Sequence, residues 1–254
     1  MTRKEYRAAI DAVKLPEDFQ SRTIRQLEQQ IRKEQPPMKK TGNILFAACL
    51  AAALIITAAA TIHLLTPGEV AASHGDQTLS AAFSGDGAIV LDETAECGDF
   101  TFHLAGMVSG SGLSDFCEDV MEDRSYLVVS RARTDGTPIE EATISDYTIT
   151  PLVAGYAPGT VNLWTLGGAA RAFLQDGIVY YIYDFDNVTM FADHTVYLAI
   201  YEGFHAPGPE IFTQAEDGSI TFNPGFTDPH AIFEVPLDPA GADPEAVEDF
   251  LREL

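Results

Sequence analysis

The longest apolar stretch of the chain lies near its N-terminal end. No charged residue occurs between Thr41 and Gly68, and Ile44–Leu65 is a run of 22 residues dominated by Ala, Leu, Ile and Phe. A helix of this length is about 33 Å long, which matches the hydrocarbon core of a bilayer. The pattern predicts one transmembrane helix within residues 41–66, and therefore a protein that crosses the cell membrane once.

Two other interpretations of this stretch are weaker. Val70–Ser73 has the small residues of a signal-peptide cleavage site, but signal peptides have a short leading region and an apolar core of roughly 7–15 residues. Cys49 follows Phe46–Ala48 in a faint likeness of a lipoprotein box. Most of the apolar residues come after Cys49, so lipidation there leaves the apolar run without a role. We therefore expect a retained anchor.

The pattern of residues 1–40 predicts two short amphipathic helices on the N-terminal side of the membrane. Thr2 and Glu5 have the spacing of a capping box, and Pro36-Pro37 ends the second helix before the membrane. The second helix carries a narrow apolar stripe among Gln and Arg residues, formed by Phe19, Ile24, Leu27 and Ile31. The two helices either pack on each other or lie on the anionic inner leaflet of the lipid bilayer, or the stripe binds in a groove of a cytoplasmic partner.

Beyond the apolar stretch the pattern changes to that of short strands. After a predicted stalk, residues 67–78, runs rich in Val, Ile, Thr, Tyr and Phe alternate with turn signals such as Asp86-Gly87 and Asp135-Gly136. Many short strands with regular turns and no helical pattern between them are typical of a β-sandwich. We expect residues 79–254 to form a mainly β domain, an immunoglobulin-like sandwich with a C-terminal helix.

One hairpin and one helix have the clearest local signals. Arg171–Gln175 and Ile178–Tyr183 are β-prone runs joined by Asp176-Gly177, the dipeptide that type I′ turns favour. Near the C-terminus, Asp243 is a predicted N-cap and Pro244 takes the first helical position. The residues expected on the buried face of this helix are Val247, Phe250, Leu251 and Leu254.

The charge balance is opposite on the two sides of the apolar stretch. Residues 1–40 carry ten Lys/Arg and six Asp/Glu, whereas the chain after Gly68 carries five Arg, no Lys and thirty-two Asp/Glu. Lys39 and Lys40 border the stretch, so the positive-inside rule places the N-terminus in the cytoplasm and residues 67–254 outside. The acidic outer part repels phosphate, which argues against nucleic acid as a direct partner.

Cys97 and Cys117 are the two cysteines outside the predicted membrane helix. An extracytoplasmic location permits a disulfide, and closing a loop of this size would contribute about 3 kcal/mol of stability. Cys117, however, lies within the acidic segment Ser114–Asp119, which is equally typical of an exposed loop. The pair is therefore a candidate disulfide, with two free thiols as the alternative.

No motif in the chain predicts catalysis. Gly106–Gly110 has the wrong spacing for a nucleophile elbow, and Asp193-His194 lacks a Ser or Cys nucleophile motif. The segment Asp184–Asn187 has the composition of a calcium site but lacks the glycine and the distal Glu of an EF-hand loop. We expect a protein that is not an enzyme and that holds no metal and no cofactor.

Several segments resemble a group of single-pass membrane proteins from Gram-positive anaerobes that carry a domain of unknown function outside the membrane. These segments are Leu15–Phe19, Gly98–Leu104, Asp123–Val129, Phe191–Leu198 and Asp243–Ala246. The architecture is similar to that of membrane-anchored anti-sigma factors, although residues 1–40 lack the His and Cys ligands of the zinc-containing subclass.

This resemblance implies a regulatory sensor in signal transduction. In such a protein the stripe formed by Phe19, Ile24, Leu27 and Ile31 would bind a cytoplasmic sigma factor, and an unidentified extracytoplasmic ligand would provide the signal. The alternative is a cell-surface module that binds a wall polymer or a protein, with residues 1–66 serving only as its anchor.

Overall fold

The computed structural model describes residues 64–110, 112–113 and 121–254. All of them belong to one of the two compact units into which the chain divides, residues 59–254. Only the last three residues of the predicted transmembrane segment are described, and the predicted cytoplasmic segment lies outside the described residues. Within the ranges that the structure describes, no helix is long and apolar enough to cross a membrane.

The described residues include three α-helices, two complete 3₁₀ helices and ten strands. The helices are α1 (Pro67–Ser73), α2 (Gln77–Ala82) and α3 (Pro244–Glu253), with 3₁₀ helices at Val188–Phe191 and Pro239–Gly241. The strands are β1 (Ala88–Cys97), β2 (Phe100–Ser109), β3 (Arg124–Arg133), β4 (Tyr147–Val153), β5 (Ala169–Gln175), β6 (Ile178–Asp186), β7 (Val196–Glu202), β8 (Phe212–Gln214), β9 (Ile220–Phe222) and β10 (His230–Val235).

Most of these strands belong to two antiparallel sheets. The five-stranded sheet has the order β1-β2-β3-β6-β5, and the three-stranded sheet has the order β10-β7-β4. The chain changes sheet after β3, after β4 and again after β6, so neither sheet is built from one continuous segment. Strands β8 and β9 form a separate hairpin. The prediction of a mainly β, sandwich-like domain with a C-terminal helix is confirmed.

The main core lies between the two sheets. The five-stranded sheet contributes inward-facing residues such as Leu127 and Tyr183, and the three-stranded sheet contributes Ile149 and Leu198. All four are almost completely buried. Successive residues of a strand point to opposite faces, so each strand gives every second side chain to this core. Burial of each large apolar side chain contributes about 1.5–3 kcal/mol, which makes this layer the main source of stability.

Helices α1 and α2 cover the outer face of the five-stranded sheet. Val70, Ala71 and Leu79 are fully buried there against residues such as Val128 and Tyr180. Residues 67–78, for which the sequence predicts a stalk, are therefore part of the folded domain. The sequence pattern does not show this because both helices are short, and their apolar residues acquire a partner only when the sheet is assembled.

The hairpin of β8 and β9 covers the outer face of the three-stranded sheet. Phe212 and Ile220 pack there on Leu152 and Tyr201. The rings of Tyr201 and Phe212 meet edge to face at 5.6 Å between their centroids. Both sheets are thus covered on their outer faces as well as on their shared core face, which explains why several strands are apolar on both sides.

The two strongest local predictions agree with the structure in most respects. Asp176 and Gly177 have φ angles of 51° and 80°, as a type I′ turn requires. In α3, one carboxylate oxygen of Asp243 accepts hydrogen bonds from the main chain of the first turn. The predicted buried face of α3 is too wide, because Leu251 and Leu254 are exposed. This helix contacts the 3₁₀ helix at Val188–Phe191 along one narrow side, through Val247 and Phe250.

Candidate functional site

The last residues of the predicted transmembrane segment are attached directly to the outer face of the five-stranded sheet. Leu64, Leu65 and Thr66 are not helical. Both leucines pack against the cluster that holds α1 and α2 on the sheet. The backbone N–H of Leu65 donates a hydrogen bond to the hydroxyl of Tyr180, at 3.2 Å. We call residues 64–66 and helix α1 the junction.

A capping box begins helix α1 at the junction. The backbone N–H of Thr66 donates to Glu69 Oε2 at 2.9 Å, and the backbone N–H of Glu69 donates to Thr66 Oγ1 at 3.4 Å. Pro67 takes the first helical position, which its fixed φ favours. These groups satisfy main-chain donors of the first turn and fix the start of α1 at the sheet.

The close approach of α1 to the sheet depends on Gly106. A Cβ atom at this position would lie 2.9 Å from the carbonyl oxygen of Ile89 and 3.0 Å from Cγ of Pro67. Both separations are shorter than ordinary van der Waals contact. Gly106 therefore makes room for Pro67, and any larger residue would push helix α1 away from the strand.

Tyr180 holds the junction from the sheet side. Its ring stacks on Phe173 with 5.4 Å between centroids and 21° between planes. Burial raises the pKa of the Tyr180 hydroxyl above its ordinary value, while the hydrogen bond from the N–H of Leu65 works in the opposite direction. The hydroxyl therefore stays protonated at neutral pH and accepts this hydrogen bond as a neutral group.

A second feature is a pair of exposed aromatic rings, Trp164 and Phe204. Trp164 lies between β4 and β5, and Phe204 follows β7; the centroids of the two rings are 5.6 Å apart. Their exposed fractions are 38% and 56%. Asn162 supports the first of them, because its Oδ1 accepts the backbone N–H of Trp164 at 3.0 Å. We call the two rings the aromatic pair.

Neither ring stands out in the pattern of apolar residues, because forty positions separate them and each lies in a connection between strands. The one signal in the sequence is that Trp164 is the only tryptophan of the chain. Exposed aromatic rings that contact each other are typical of binding surfaces.

The carboxylates of the acidic segment at the end of β6 form ion pairs with an arginine. Arg124 donates to Asp184 Oδ2 at 3.1 Å and to Asp186 Oδ1 at 2.6 Å. Antiparallel pairing of β3 with β6 places the three residues together. Oδ1 of Asn187 accepts the backbone N–H of Thr189 and so begins the 3₁₀ helix. The side-chain oxygens of Asp184, Asp186 and Asn187 therefore bind partners within the sandwich and stabilise it.

Arg131 is a cation in the interior of the sandwich, with an exposed fraction of 1%. Its guanidinium lies 4.9 Å from the centroid of Phe100 and donates to Asp146 Oδ2 at 3.4 Å and to Thr143 Oγ1 at 3.2 Å. Nε of Arg131 has no hydrogen-bond partner among the described residues. An aromatic ring and a carboxylate together compensate part of the cost of burying this charge.

The remaining polar candidates do not converge on one site. Nε2 of His194 lies 3.7 Å from Asp193 Oδ1, and both side chains are exposed. In residues 64–110, 112–113 and 121–254, no group of three His, Cys, Asp or Glu side chains could hold a metal ion. The expectation that the protein is not an enzyme stays a prediction.

The site residues predicted from the sequence lie largely outside the described residues. This applies to the whole apolar stripe (Phe19, Ile24, Leu27 and Ile31) and to Cys117. Cys97, the one cysteine among the described residues, is buried at the end of β1. Leu113 and Met121, the nearest described residues on either side of Cys117, lie toward the other end of β2. The Cys97–Cys117 disulfide stays a prediction.

Comparison with protein-family models, with curated proteins and with solved structures finds no match for this chain. The resemblance to membrane-anchored regulators therefore stays a prediction from the sequence. The described segments that carry it include structural elements: Gly98–Leu104 contains the turn into β2, Asp123–Val129 most of β3, and Asp243–Ala246 the start of α3.

Proposed function

We propose that the protein is a membrane-anchored sensor, in which an extracytoplasmic sandwich is joined rigidly to a single transmembrane helix and regulates a cytoplasmic partner. The observation that carries this proposal is the junction. Leu64 and Leu65, the last two leucines of the apolar stretch, pack against the apolar cluster that holds α1 and α2 on the sheet, and the hydroxyl of Tyr180 fixes the main chain at Leu65. Residues 64–78 are thus folded onto the sheet, which is what direct coupling of the sandwich to the preceding residues requires.

The junction also narrows the proposed span. Since residues 64–66 belong to the sandwich, the membrane helix of this proposal covers Ile44–His63. A helix of this length is about 30 Å long, which is still enough to cross the hydrocarbon core. The proposed orientation, with the N-terminus in the cytoplasm, is supported by Lys39 and Lys40 and by the acidic composition of the rest of the chain.

The strand order supports an immunoglobulin-like sandwich. Strands β2, β3, β6 and β5 have the order of strands A, B, E and D of a constant-type immunoglobulin domain, and β4, β7 and β10 have the order of strands C, F and G. In this proposal β1 is an additional edge strand beside β2, the equivalent of strand A. Domains of this architecture commonly bind other molecules at the cell surface.

The proposed cytoplasmic partner is a sigma factor, as the resemblance to anti-sigma factors implies, and the proposed contact is the stripe that contains Leu27 and Ile31. The test is a pull-down with the full chain and with Leu27→Asp/Ile31→Asp. Two buried unpaired charges cost several kcal/mol, enough to abolish a micromolar interaction. We expect the wild type to recover a sigma factor and the variant to lose it. If the wild type recovers no sigma factor, the proposed partner is rejected.

Rigid coupling has its own test. A flexible Gly-Ser insertion between His63 and Leu64 keeps both the membrane segment and the sandwich but separates their movements. We expect the partner to stay bound in the insertion variant under conditions that release it from the wild type. A matched insertion at Gly136, an exposed turn, should leave the release unchanged.

A second candidate function is supported by the aromatic pair. If the protein is a surface module that binds a wall polymer or a protein, Trp164 and Phe204 are the expected contact. Alanine at both positions should then weaken binding to isolated cell walls or surface proteins. This loss of binding should not depend on residues 1–40. Stacking on one ring contributes about 0.5–1.5 kcal/mol, so we expect a loss of about tenfold for the double variant.

A further inference from the structure

Strand β5 has an open main-chain edge. It lies at the end of the five-stranded sheet and pairs with β6 alone, in a register without a bulge over seven residues. Within the described part of the chain, no main-chain hydrogen bond joins residues 169–175 to any other segment. An unprotected edge of this kind is a template for a further strand.

The other edges of the two larger sheets are protected. Strand β1 has a bulge between Val90 and Glu93, with a φ of 47° at Asp92, and it runs beside β10. Strand β4 contains Pro151, and the hydroxyl of Thr150 next to it accepts the backbone N–H of Leu163 at 2.8 Å. Bulges, prolines, charges and covering loops are the usual devices against edge pairing. Strand β5 has no bulge and no proline.

The two-residue turn between β5 and β6 fixes which main-chain N–H and C=O groups of β5 point outward. Gln175 and Ile178 flank the two-residue turn, so they exchange both main-chain hydrogen bonds. Because hydrogen-bonded and non-hydrogen-bonded pairs alternate along an antiparallel ladder, the N–H and C=O groups of Ala170, Ala172 and Leu174 point away from β6. These three residues form the open edge.

The charge of β5 differs from that of the rest of the domain. The strand has no Asp or Glu, in a part of the chain with thirty-two acidic residues. Its Arg171 is exposed and makes no ion pair within the described residues. A strand without carboxylates lowers the repulsion between two acidic domains, so this edge favours the approach of a second copy.

We propose that β5 pairs antiparallel with β5 of a second copy of this chain, about a twofold axis at Ala172. In this register Ala172 faces its own counterpart, and Ala170 faces Leu174 of the partner subunit. Arg171 then faces Phe173 of the partner subunit on the same side of the sheet, twice by symmetry. A single strand thus supplies complementary hydrogen bonds and side chains. The inference does not depend on the proposed function.

Cysteine cross-linking of the full chain in membranes tests the register, in a background with Cys49→Ser and Cys117→Ser. Cα atoms of a hydrogen-bonded antiparallel pair are about 5.5 Å apart, within disulfide range, so Ala172→Cys should give a cross-linked dimer on mild oxidation. Ala170→Cys is the matched control, because its two copies are more than about 13 Å apart in this register. We expect at least about tenfold less dimer for this control.

Equal cross-linking of both variants, or none of Ala172→Cys, would overturn the proposal. A cross-linked product with the mass of another protein would also overturn it, because the occupant would then be a different strand.

A proline substitution tests the edge without cysteines. Ala172→Pro removes an outward N–H, so the pairing with β6 is kept while the dimer loses two symmetric hydrogen bonds. We expect the dimer to weaken at least about tenfold, with circular dichroism and thermal unfolding close to the wild type. Arg171→Pro is the contrasting variant, because it removes an N–H that bonds to β6 and should destabilise the domain itself. A folded Ala172→Pro variant that dimerises like the wild type would reject the edge.

Discussion

The hydroxyl of Tyr180 accepts a hydrogen bond from the backbone N–H of Leu65, at 3.2 Å, across more than a hundred positions of sequence. This contact joins the end of the apolar stretch to the third residue of β6. It makes the junction part of the sandwich, and it is the contact on which the proposed coupling between the two sides of the membrane depends.

Tyr180→Phe should loosen the junction while it keeps the stacking on Phe173. The N–H of Leu65 loses its acceptor, so we expect the free energy of unfolding to fall by about 1 kcal/mol. Hydrogen exchange at Leu65 should accelerate more than exchange in the interior of β6. Tyr197→Phe is the control, since its hydroxyl has no hydrogen bond to the described residues. Equal effects of the two substitutions would argue against a specific role of the contact.

Gly106→Ala should displace helix α1. The added Cβ would meet the carbonyl oxygen of Ile89 and the ring of Pro67, and overpacking of this kind costs about 1–3 kcal/mol. Urea unfolding measures the loss. Gly159→Ala is the matched control, because its added Cβ would have only the carbonyl oxygen of Pro207 nearby, at 3.9 Å. A neutral Gly106→Ala variant would show that α1 adjusts without cost.

The Cys97 thiol should react very slowly in the folded protein. Burial, and secondarily the carboxylate of Glu202, raise the pKa of Cys97 to about 12, so almost no thiolate is present at pH 8. In the Cys117→Ser variant we expect alkylation of Cys97 to be roughly 10³-fold slower than that of a free thiol, and to become fast in denaturant.

Thiol titration of the unfolded, unreduced wild type then decides the predicted disulfide: free thiols at Cys97 and Cys117 would exclude it.

Stability should fall at alkaline pH because of buried tyrosines. Burial raises the pKa of Tyr147 and of Tyr181 to about 12 in the folded state, although the guanidinium of Arg131 opposes the shift. Unfolded tyrosines ionise near pH 10, so between about pH 10 and 12 the folded state keeps protons that the unfolded state loses. The free energy of unfolding should therefore decrease as the pH rises through this window.

Each of these tyrosines contributes a slope of about 1.4 kcal/mol per pH unit. Tyr181→Phe should remove one such contribution between pH 10 and 12. Near pH 7 the same variant should differ from the wild type only by the lost hydrogen bond to the carbonyl oxygen of Thr143. An unchanged alkaline slope in chemical denaturation curves would contradict the assignment to Tyr181.

The sequence by itself determined the features that depend on local chemistry. Asp176-Gly177 makes a type I′ turn because these residues tolerate positive φ, and Asp243 caps α3 because its carboxylate reaches the free N–H groups of the first turn. Short alternating strands with frequent turns likewise indicated a mainly β sandwich. The sequence also supplied the whole prediction for residues 1–63, which lie outside the described residues.

Only the tertiary structure decided which distant residues meet. Arg124 binds Asp184 and Asp186 because β3 and β6 are neighbours in the sheet, and neither strand's own pattern reveals that order. The same holds for the open edge of β5, which exists only because no further strand follows it in the sheet. The aromatic pair and the junction are contacts of this kind. The surfaces that make these contacts become complementary only after the sheets have formed. For this reason the sequence of residues 67–78 alone is that of a stalk, although the segment packs on a sheet.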